Sequence, residues 1–433
     1  MTGGGPVGAP SRAIPVTIRQ CWRRDGILPA VLHRRFLLLF LVPLALAACS
    51  GGDDADSAAS SSTTVASAVV EVAPDGDLYA LAEGPLEPGE PGDVIAVQEV
   101  AGVPVEGTVW RVLYHSQSIA GEDIAVSGII IVPSGPVPEG GRPVLTWAHG
   151  TTGIADECAP SKDPAGAGAA LVAPFLDRGM VFAATDYEGL GTPGRHPYIA
   201  GVSEGRGTLD IVRAARQLED RTDASDETVI WGHSQGGHAA LFANQIAEEW
   251  APELDVVGTI AGAPPSQLAL IAAALRDSPY RYYLAMVAAG WEAAYPEADP
   301  SLVLSPKGVE LLATVDEGCT GASAEAFNSL SYDELVIADP ATTPPWSDLL
   351  VANDPGFVQG SSPILIIHGE NDEQIPVVSS QLLLNRMCGI GQAVERRTYP
   401  GESHAGVIGP SLPDMLKWID ARLEGEEAIT SCP

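Results

Sequence analysis

Positive charge is scarce in this sequence. Its 433 residues include 23 Lys and Arg against 56 Asp and Glu, which gives a formal net charge of −33. Because proteins bind nucleic acids mainly by neutralising phosphates with Lys and Arg, we expect no nucleic-acid partner. Cysteine is also scarce, with six residues, and this excludes a small disulfide-rich scaffold. The hydrophobic content of 45% is ordinary, so the chain is predicted to be globular.

A hydrophobic run long enough to span a membrane is also missing. The apolar stretch Phe36–Ala48 has 13 residues, whereas a spanning helix needs about 20. Residues 1–48 contain six arginines and one acidic residue, and Arg34 and Arg35 directly precede the apolar stretch. A positive start, a short apolar region and small residues at its end are typical of a secretory signal peptide, which we assign to residues 1–48.

The residues at the end of this segment predict a lipid anchor. Leu46-Ala-Ala-Cys49 resembles the lipobox of bacterial lipoproteins, which implies that Cys49 becomes the lipidated first residue. The Ser-, Ala- and Asp-rich residues that follow indicate a flexible tether over residues 49–77. We therefore expect an exported protein, either anchored through Cys49 to the outer side of the cytoplasmic membrane or secreted.

Four cysteines lie beyond Cys49, and an even number favours two disulfides in an exported protein. They are Cys158, Cys319, Cys388 and Cys432. Three pairings are possible, and buried free thiols are the alternative. None of the spacings matches a zinc site, so no metal is expected.

From about residue 105, short apolar runs alternate with helical patterns. The runs 143–148, 180–185, 228–231 and 364–367 are predicted strands. Such alternation is typical of βαβ units, whose parallel sheet is covered by helices on both faces. The sequence therefore predicts one doubly wound, mostly parallel α/β domain over residues 78–433.

Residues 264–362 interrupt this alternation with alanine-rich helical patterns that lie between proline-rich ends. About a hundred residues are too many for a structureless loop. We predict an inserted helical cap over the carboxyl edge of the sheet. Its aliphatic and aromatic side chains suit an apolar acyl site, although most of them must also pack the cap against the sheet. The ten considered are Leu268, Leu270, Ile271, Leu275, Tyr282, Tyr283, Leu284, Met286, Trp291 and Tyr295.

A candidate nucleophile lies in the pentapeptide Gly232-His-Ser-Gln-Gly236, which fits Gly-x-Ser-x-Gly. It follows a predicted strand and precedes a predicted helix, as a nucleophile elbow requires. The flanking glycines allow a tight turn that projects the Ser234 hydroxyl above the sheet, near a helix N-terminus that favours a developing anion. The alternative is a tight turn with an incidental serine.

A serine hydroxyl needs a base, and the base needs an orienting acid. In the α/β-hydrolase order the acid and then the histidine follow the serine, each at the carboxyl end of a strand. Asp372 and His404 occupy these places, so the predicted triad is Ser234, Asp372 and His404. The competing acids are Glu370, Glu373 and Glu402, and the competing histidines are His149, His196, His233, His238 and His368.

An oxyanion hole needs two backbone N–H donors. One is predicted at Gln235, the residue after the nucleophile. The other is expected from the loop His149-Gly-Thr-Thr-Gly153, where we choose Thr151 over its neighbour Thr152. The alternative is a plain glycine-rich connection.

At this point the chain resembles the secretory lipases, a family of α/β-hydrolases, over residues 78–432. The resemblance rests on seven motifs: His149-Gly-Thr-Thr-Gly, Cys158-Ala-Pro-Ser, Asp186-Tyr-Glu-Gly-Leu-Gly, Gly232-His-Ser-Gln-Gly-Gly, Gly262-Ala-Pro-Pro, His368-Gly-Glu-Asn-Asp and Ser403-His404. It implies the same triad and a helical cap that carries an acyl-chain tunnel. It also implies disulfides between Cys158 and Cys319 and between Cys388 and Cys432.

These observations lead to three hypotheses about function. The first is hydrolysis of carboxylic esters, of the lipase or esterase type, through an acyl-enzyme on Ser234. The second is acyl transfer or peptide cleavage by the same triad. The third is a non-catalytic lipoprotein that binds apolar ligands. We expect a small-molecule or lipid ester as substrate, no metal or organic cofactor, and a monomer.

Overall fold

The computed structural model describes residues 69–166 and 169–433. The predicted signal peptide and lipidation site, with most of the predicted tether, lie outside these ranges. Ten strands form one sheet: β1 (Val70–Glu71), β2 (Val94–Val100), β3 (Gly107–Gln117), β4 (Asp123–Pro133), β5 (Arg142–Ala148), β6 (Val181–Thr185), β7 (Ala224–His233), β8 (Asp255–Gly262), β9 (Ile364–Gly369) and β10 (Val394–Tyr399).

Twelve α-helices are assigned in the described ranges. They are α1 (Ala169–Leu176), α2 (Gly201–Gln217), α3 (Glu219–Thr222), α4 (Gln235–Trp250), α5 (Leu268–Leu275), α6 (Tyr282–Ala294), α7 (Pro306–Leu311), α8 (Thr320–Asn328), α9 (Tyr332–Leu335), α10 (Trp346–Ala352), α11 (Val377–Gly389) and α12 (Ile408–Leu423). In this described part, no helix is both long and apolar enough to cross a bilayer.

The strand order is β1-β2-β3-β4-β6-β5-β7-β8-β9-β10. The six strands β5 to β10 pair in parallel, whereas β2, β3 and β4 form an antiparallel meander whose last strand runs antiparallel to β6. The predicted mostly parallel, doubly wound sheet is therefore confirmed, with an antiparallel extension at one edge.

Alternating side chains on the strands bury the sheet on both faces, because successive residues of a strand point to opposite sides. Ile230 packs with α2 and α4 in one core cluster. Its neighbours Val229 and Trp231 pack with α1 and α12 in another. The helix α11 joins the first side, where Leu383 packs against Leu241 of α4.

The stretch between β8 and β9 contains helices α5 to α10 and, in the part of the chain described, no strand of the sheet. These helices have their own apolar core, built around the fully buried Trp291 and Phe327. Ile154, Tyr198 and Ile199, which come from loops of the sheet domain, join the same core. This side of the molecule is therefore held to the sheet domain by apolar packing at the carboxyl ends of the strands.

Two disulfides strengthen the arrangement. Cys158, just after the β5 loop, is bonded to Cys319, which precedes α8. Cys388 near the end of α11 is bonded to Cys432 in the C-terminal segment. This is the pairing that the family resemblance implies, and the first bond links the sheet domain covalently to the helical stretch.

Candidate active site

The turn at Ser234 has strained backbone geometry. Ser234 lies between β7 and α4 with φ 59° and ψ −125°, a region that L-residues rarely adopt. The turn is also very tight: a Cβ on Gly232 would come within 2.0 Å of the Gly236 carbonyl oxygen, and one on Gly236 within 1.8 Å of the Ala148 oxygen. Only glycine fits at these two positions, which explains the spacing of the pentapeptide around the serine.

Asp372 lies in the loop after β9 and accepts hydrogen bonds on both carboxylate oxygens. Its Oδ1 accepts from the backbone N–H groups of Gln374 and Ile375, at 2.9 and 2.8 Å. Its Oδ2 accepts from Nδ1 of His404, at 2.7 Å. Glu373 contacts His404 only through the backbone N–H of His404, at 3.1 Å, and Glu370 accepts from Thr398. In the described residues, Asp372 is therefore the carboxylate that contacts the His404 ring.

The environment of Asp372 keeps it ionised. Burial alone would raise its pKa, but hydrogen bonds from His368 and His404 outweigh burial and lower the pKa well below its usual value. An ionised acceptor at Nδ1 leaves the proton of neutral His404 on that nitrogen. The other ring nitrogen, Nε2, is buried and has no hydrogen-bond partner among the described residues. It is thus available as a proton acceptor.

His233, the residue before the candidate nucleophile, connects β7 with the candidate base. The ring centroids of His233 and His404 lie 4.8 Å apart. Burial, together with the neighbouring His404, lowers the pKa of His233 to about 3. His233 is therefore neutral at physiological pH, and it adds no positive charge beside His404.

The loop after β5 approaches the same turn. A Cβ on Gly150 would lie 3.6 Å from Cβ of Ser234. The Thr151 hydroxyl forms a hydrogen bond of 2.8 Å with the Tyr198 hydroxyl, whereas the carbonyl of Thr152 accepts from the backbone N–H of Thr320. The loop therefore flanks Ser234, but the oxyanion roles of Thr151 and Gln235 stay predictions.

A group of buried polar side chains supports the first turn of α4, and we call it the Glu204 cluster: Glu204, His196, Gln235 and His238. The Gln235 amide donates to Glu204 Oε1 at 2.9 Å and to His196 Nε2 at 2.8 Å. His238 Nδ1 lies 2.9 Å from Glu204 Oε2, and its Nε2 lies 2.8 Å from the Asn353 carbonyl oxygen. All four members are almost fully buried.

Sequence reasoning missed this cluster. It treated His196 and His238 only as competitors for the role of base, and it did not consider Glu204. In the structure, Glu204 and His196 hold the side chain of Gln235, the predicted oxyanion residue, and His238 contacts Glu204. No local pattern marks Glu204, because its side-chain partners lie 31 and 34 residues away in the chain.

An apolar cavity opens beside Ser234 and extends into the helical stretch. Its interior volume is about 100 Å³. Six of the ten apolar residues considered from the sequence line it: Leu268, Ile271, Leu275, Tyr283, Leu284 and Trp291. Tyr282 and Met286 instead pack in the core of the helical stretch.

Comparisons with known proteins agree with this geometry. The model of the family described as secretory lipase matches residues 165–431. A secreted triacylglycerol lipase of Malassezia globosa is 26% identical over 348 residues, which cover 75% of this chain and 74% of the relative. A Mycobacterium tuberculosis protein named "probable inactive lipase" is 24% identical, covering 82% of this chain and 83% of its own.

The fold is also found among solved structures. Candida antarctica lipase A superposes with a TM-score of 0.69 at 21% identity, covering 79% of this chain and 84% of that one. At this identity the likeness supports the α/β-hydrolase fold and no more.

Proposed function

The chain belongs to the secretory lipase family and is a serine ester hydrolase, and we propose that Ser234, Asp372 and His404 carry out this hydrolysis. The observation that carries the proposal is the His404 ring, which donates from Nδ1 to Asp372 at 2.7 Å while its buried Nε2 has no described partner.

The reaction follows from these contacts. Nε2 of His404 takes the hydroxyl proton as Ser234 attacks the ester carbonyl, and the backbone N–H groups of Gln235 and Thr151 stabilise the oxyanion. His404 then gives the proton to the leaving alcohol, and an acyl group remains on Ser234. A water molecule, activated by the same nitrogen, releases the acid. Asp372 keeps the imidazole in the required tautomer throughout and stabilises its positive charge.

The cavity determines which acyl groups can enter. Its walls are almost wholly aliphatic and aromatic, and Ser234 lies among them. We therefore propose esters with an apolar acyl chain, triacylglycerols included, as substrates. Acyl transfer would require that an alcohol, instead of water, reaches the same acyl-enzyme.

The proposal is tested with Ser234→Ala. We expect loss of p-nitrophenyl ester hydrolysis and of labelling by a fluorophosphonate, with an unchanged circular dichroism spectrum. Ser225→Ala is the matched control, because Ser225 lies on the same strand β7 near its opposite end. Full activity and labelling of Ser234→Ala would refute the mechanism. Labelling of the wild type also distinguishes this chain from a non-catalytic ligand-binding protein.

We further propose that residues 1–48 are a signal peptide, 49–77 a tether and 78–433 a monomeric hydrolase domain with a cap at about 264–362. Lipidation of Cys49 would hold this exported enzyme at the membrane, with its acidic domain outside. In a bacterial host, Cys49→Ala is expected to move the protein from the membrane fraction to the soluble fraction and to abolish labelling with a fatty acid. An unchanged distribution would contradict the anchor.

A further inference from the structure

A second histidine contacts the carboxylate of Asp372. His368 belongs to β9 and is fully buried. Its Nε2 lies 3.0 Å from Oδ2 of Asp372 and 3.0 Å from the carbonyl oxygen of Ile375. Both neighbours are acceptors, so Nε2 carries the proton. Its Nδ1 is buried without a hydrogen-bond partner among the described residues, as expected for the unprotonated nitrogen of a neutral ring.

Two imidazoles therefore donate to the same carboxylate oxygen, His404 from Nδ1 and His368 from Nε2. The other oxygen of Asp372 accepts two backbone N–H groups. His368 thus holds the carboxylate from β9 and leaves it little freedom to rotate. It also holds the Ile375 carbonyl, and Ile375 lines the acyl cavity.

We propose that His368 is a positioning residue, which orients Asp372 and takes up part of the negative charge that Asp372 would otherwise offer to His404. This proposal rests on the proposed triad. Without His368, the full charge of Asp372 would face His404 and stabilise its imidazolium form more strongly. The acid limb of the activity profile would then lie at higher pH.

Other ionisable groups also face this site. His233 lies against the His404 ring from the β7 side. Glu373 accepts the backbone N–H of His404, and the Tyr280 hydroxyl in turn donates to Glu373 at 3.4 Å. None of them contacts His368 by a described hydrogen bond, so a substitution at His368 leaves their contacts in place.

The test compares His368→Leu with His368→Gln. Leucine removes the hydrogen bond, whereas Nε2 of glutamine can reach the place of the histidine Nε2 and donate to Asp372. The measurement is the pH profile of kcat/KM per active site titrated with a fluorophosphonate. For His368→Leu we expect the acid limb to move to higher pH by up to about one unit, with kcat/KM about tenfold lower near neutral pH. His368→Gln is expected to keep the limb at the wild-type position.

A remote histidine gives the matched control. His115 forms a hydrogen bond of 2.8 Å with Asp123, far from Ser234 in the antiparallel part of the sheet. His115→Leu should therefore leave the acid limb unchanged. If His368→Leu has the wild-type profile per titrated site, His368 has only a structural role and the proposal is overturned.

Asp372→Asn separates this failure from failure of the triad. Full activity of Asp372→Asn would refute the triad itself, whereas loss of activity in Asp372→Asn with a normal profile in His368→Leu would refute the inference alone. If His368→Leu does not fold, ¹⁵N-histidine spectra of the wild type decide. The proposal requires a neutral His368 protonated at Nε2, and a ring protonated at Nδ1 would overturn it.

Discussion

Two buried histidine–carboxylate pairs lie near Ser234, and they differ in whether the histidine has a ring nitrogen free to accept a proton. His404 pairs with Asp372 at 2.7 Å, and His238 pairs with Glu204 at 2.9 Å. In both pairs Nδ1 faces the carboxylate, and both pairs are buried. They differ at the other ring nitrogen. Nε2 of His404 has no described partner, whereas Nε2 of His238 faces the Asn353 carbonyl at 2.8 Å.

This difference determines what each pair can do. Both nitrogens of His238 face oxygen atoms, so neither of them is free to take a proton from a substrate. His404 needs only one proton for its contact and keeps a lone pair. The histidine with fewer hydrogen bonds is therefore the one we propose as the base, whereas the fully bonded one has a structural role.

The largest expected effect is the loss of activity when His404, the proposed base, is replaced. His404→Gln should lower kcat by about 10⁴-fold or more, because loss of one triad member removes most of the rate enhancement. His238→Gln should lower kcat far less, since its side chain acts on Ser234 only through the first turn of α4. Initial rates per mg of folded enzyme measure both. Comparable losses in the two variants would contradict the assignment of roles.

The next effect concerns the stability of the Glu204 cluster. Glu204→Leu leaves buried donors on Gln235 and His238 without their acceptor, which should cost about 3–5 kcal/mol of unfolding free energy. Glu204→Gln should cost about 1 kcal/mol, because its oxygen can still accept from Gln235 while its N–H₂ donates to a neutral His238. Denaturant titration measures the difference. Equal losses of unfolding free energy in the two variants would mean that the negative charge of Glu204, rather than its hydrogen bonds, stabilises the cluster.

Parts of this site could be predicted from the sequence because they depend on local patterns. Ser234 and Asp372 each follow an apolar run that ends at the carboxyl edge of the sheet, and such runs are visible without a structure. His404 follows the short strand β10, whose residues are mostly polar. The antiparallel strand β2 was not predicted, although it contains five apolar residues among seven. β2 forms a strand by pairing with β3. Its own sequence mixes apolar and polar residues and does not show that a partner strand is present.

The Glu204 cluster could not be predicted, for a related reason. The apolar spacing of residues 205–220 predicts a helix, but α2 begins earlier, at Gly201. The early turn contains glycines because α2 packs closely on α4: a Cβ on Gly201 would lie 2.3 Å from the Phe242 ring, and one on Gly205 would lie 2.9 Å from the Ala243 nitrogen. Close packing of two helices thus removes the apolar periodicity that sequence reasoning uses, and it buries a carboxylate that would otherwise be expected in solvent.

The smallest expected effect is a difference in the pH ranges over which His196 and Asp372 contribute to the unfolding free energy. Burial lowers the pKa of His196, in the Glu204 cluster, to about 4, whereas an unfolded histidine titrates near 6.5. Between about pH 4 and 6.5 the unfolded chain therefore binds a proton that native His196 does not, and this contribution to stability decreases as the pH falls. Asp372, whose native pKa is lowered, reduces stability only below about pH 4, where the unfolded carboxyl begins to bind a proton.

The prediction is tested with His196→Asn, whose amide can still donate to the Glu188 carbonyl, as Nδ1 of His196 does at 2.9 Å. Buried Asp210, with a pKa raised to about 6, acts in the opposite direction, so the quantity to compare is the difference between variant and wild type. We expect the unfolding free energy of the variant to fall less steeply between pH 6.5 and 4, by up to about 1.4 kcal/mol per pH unit. Parallel curves would mean that His196 is protonated in the native protein, which its contact with the Gln235 amide does not allow.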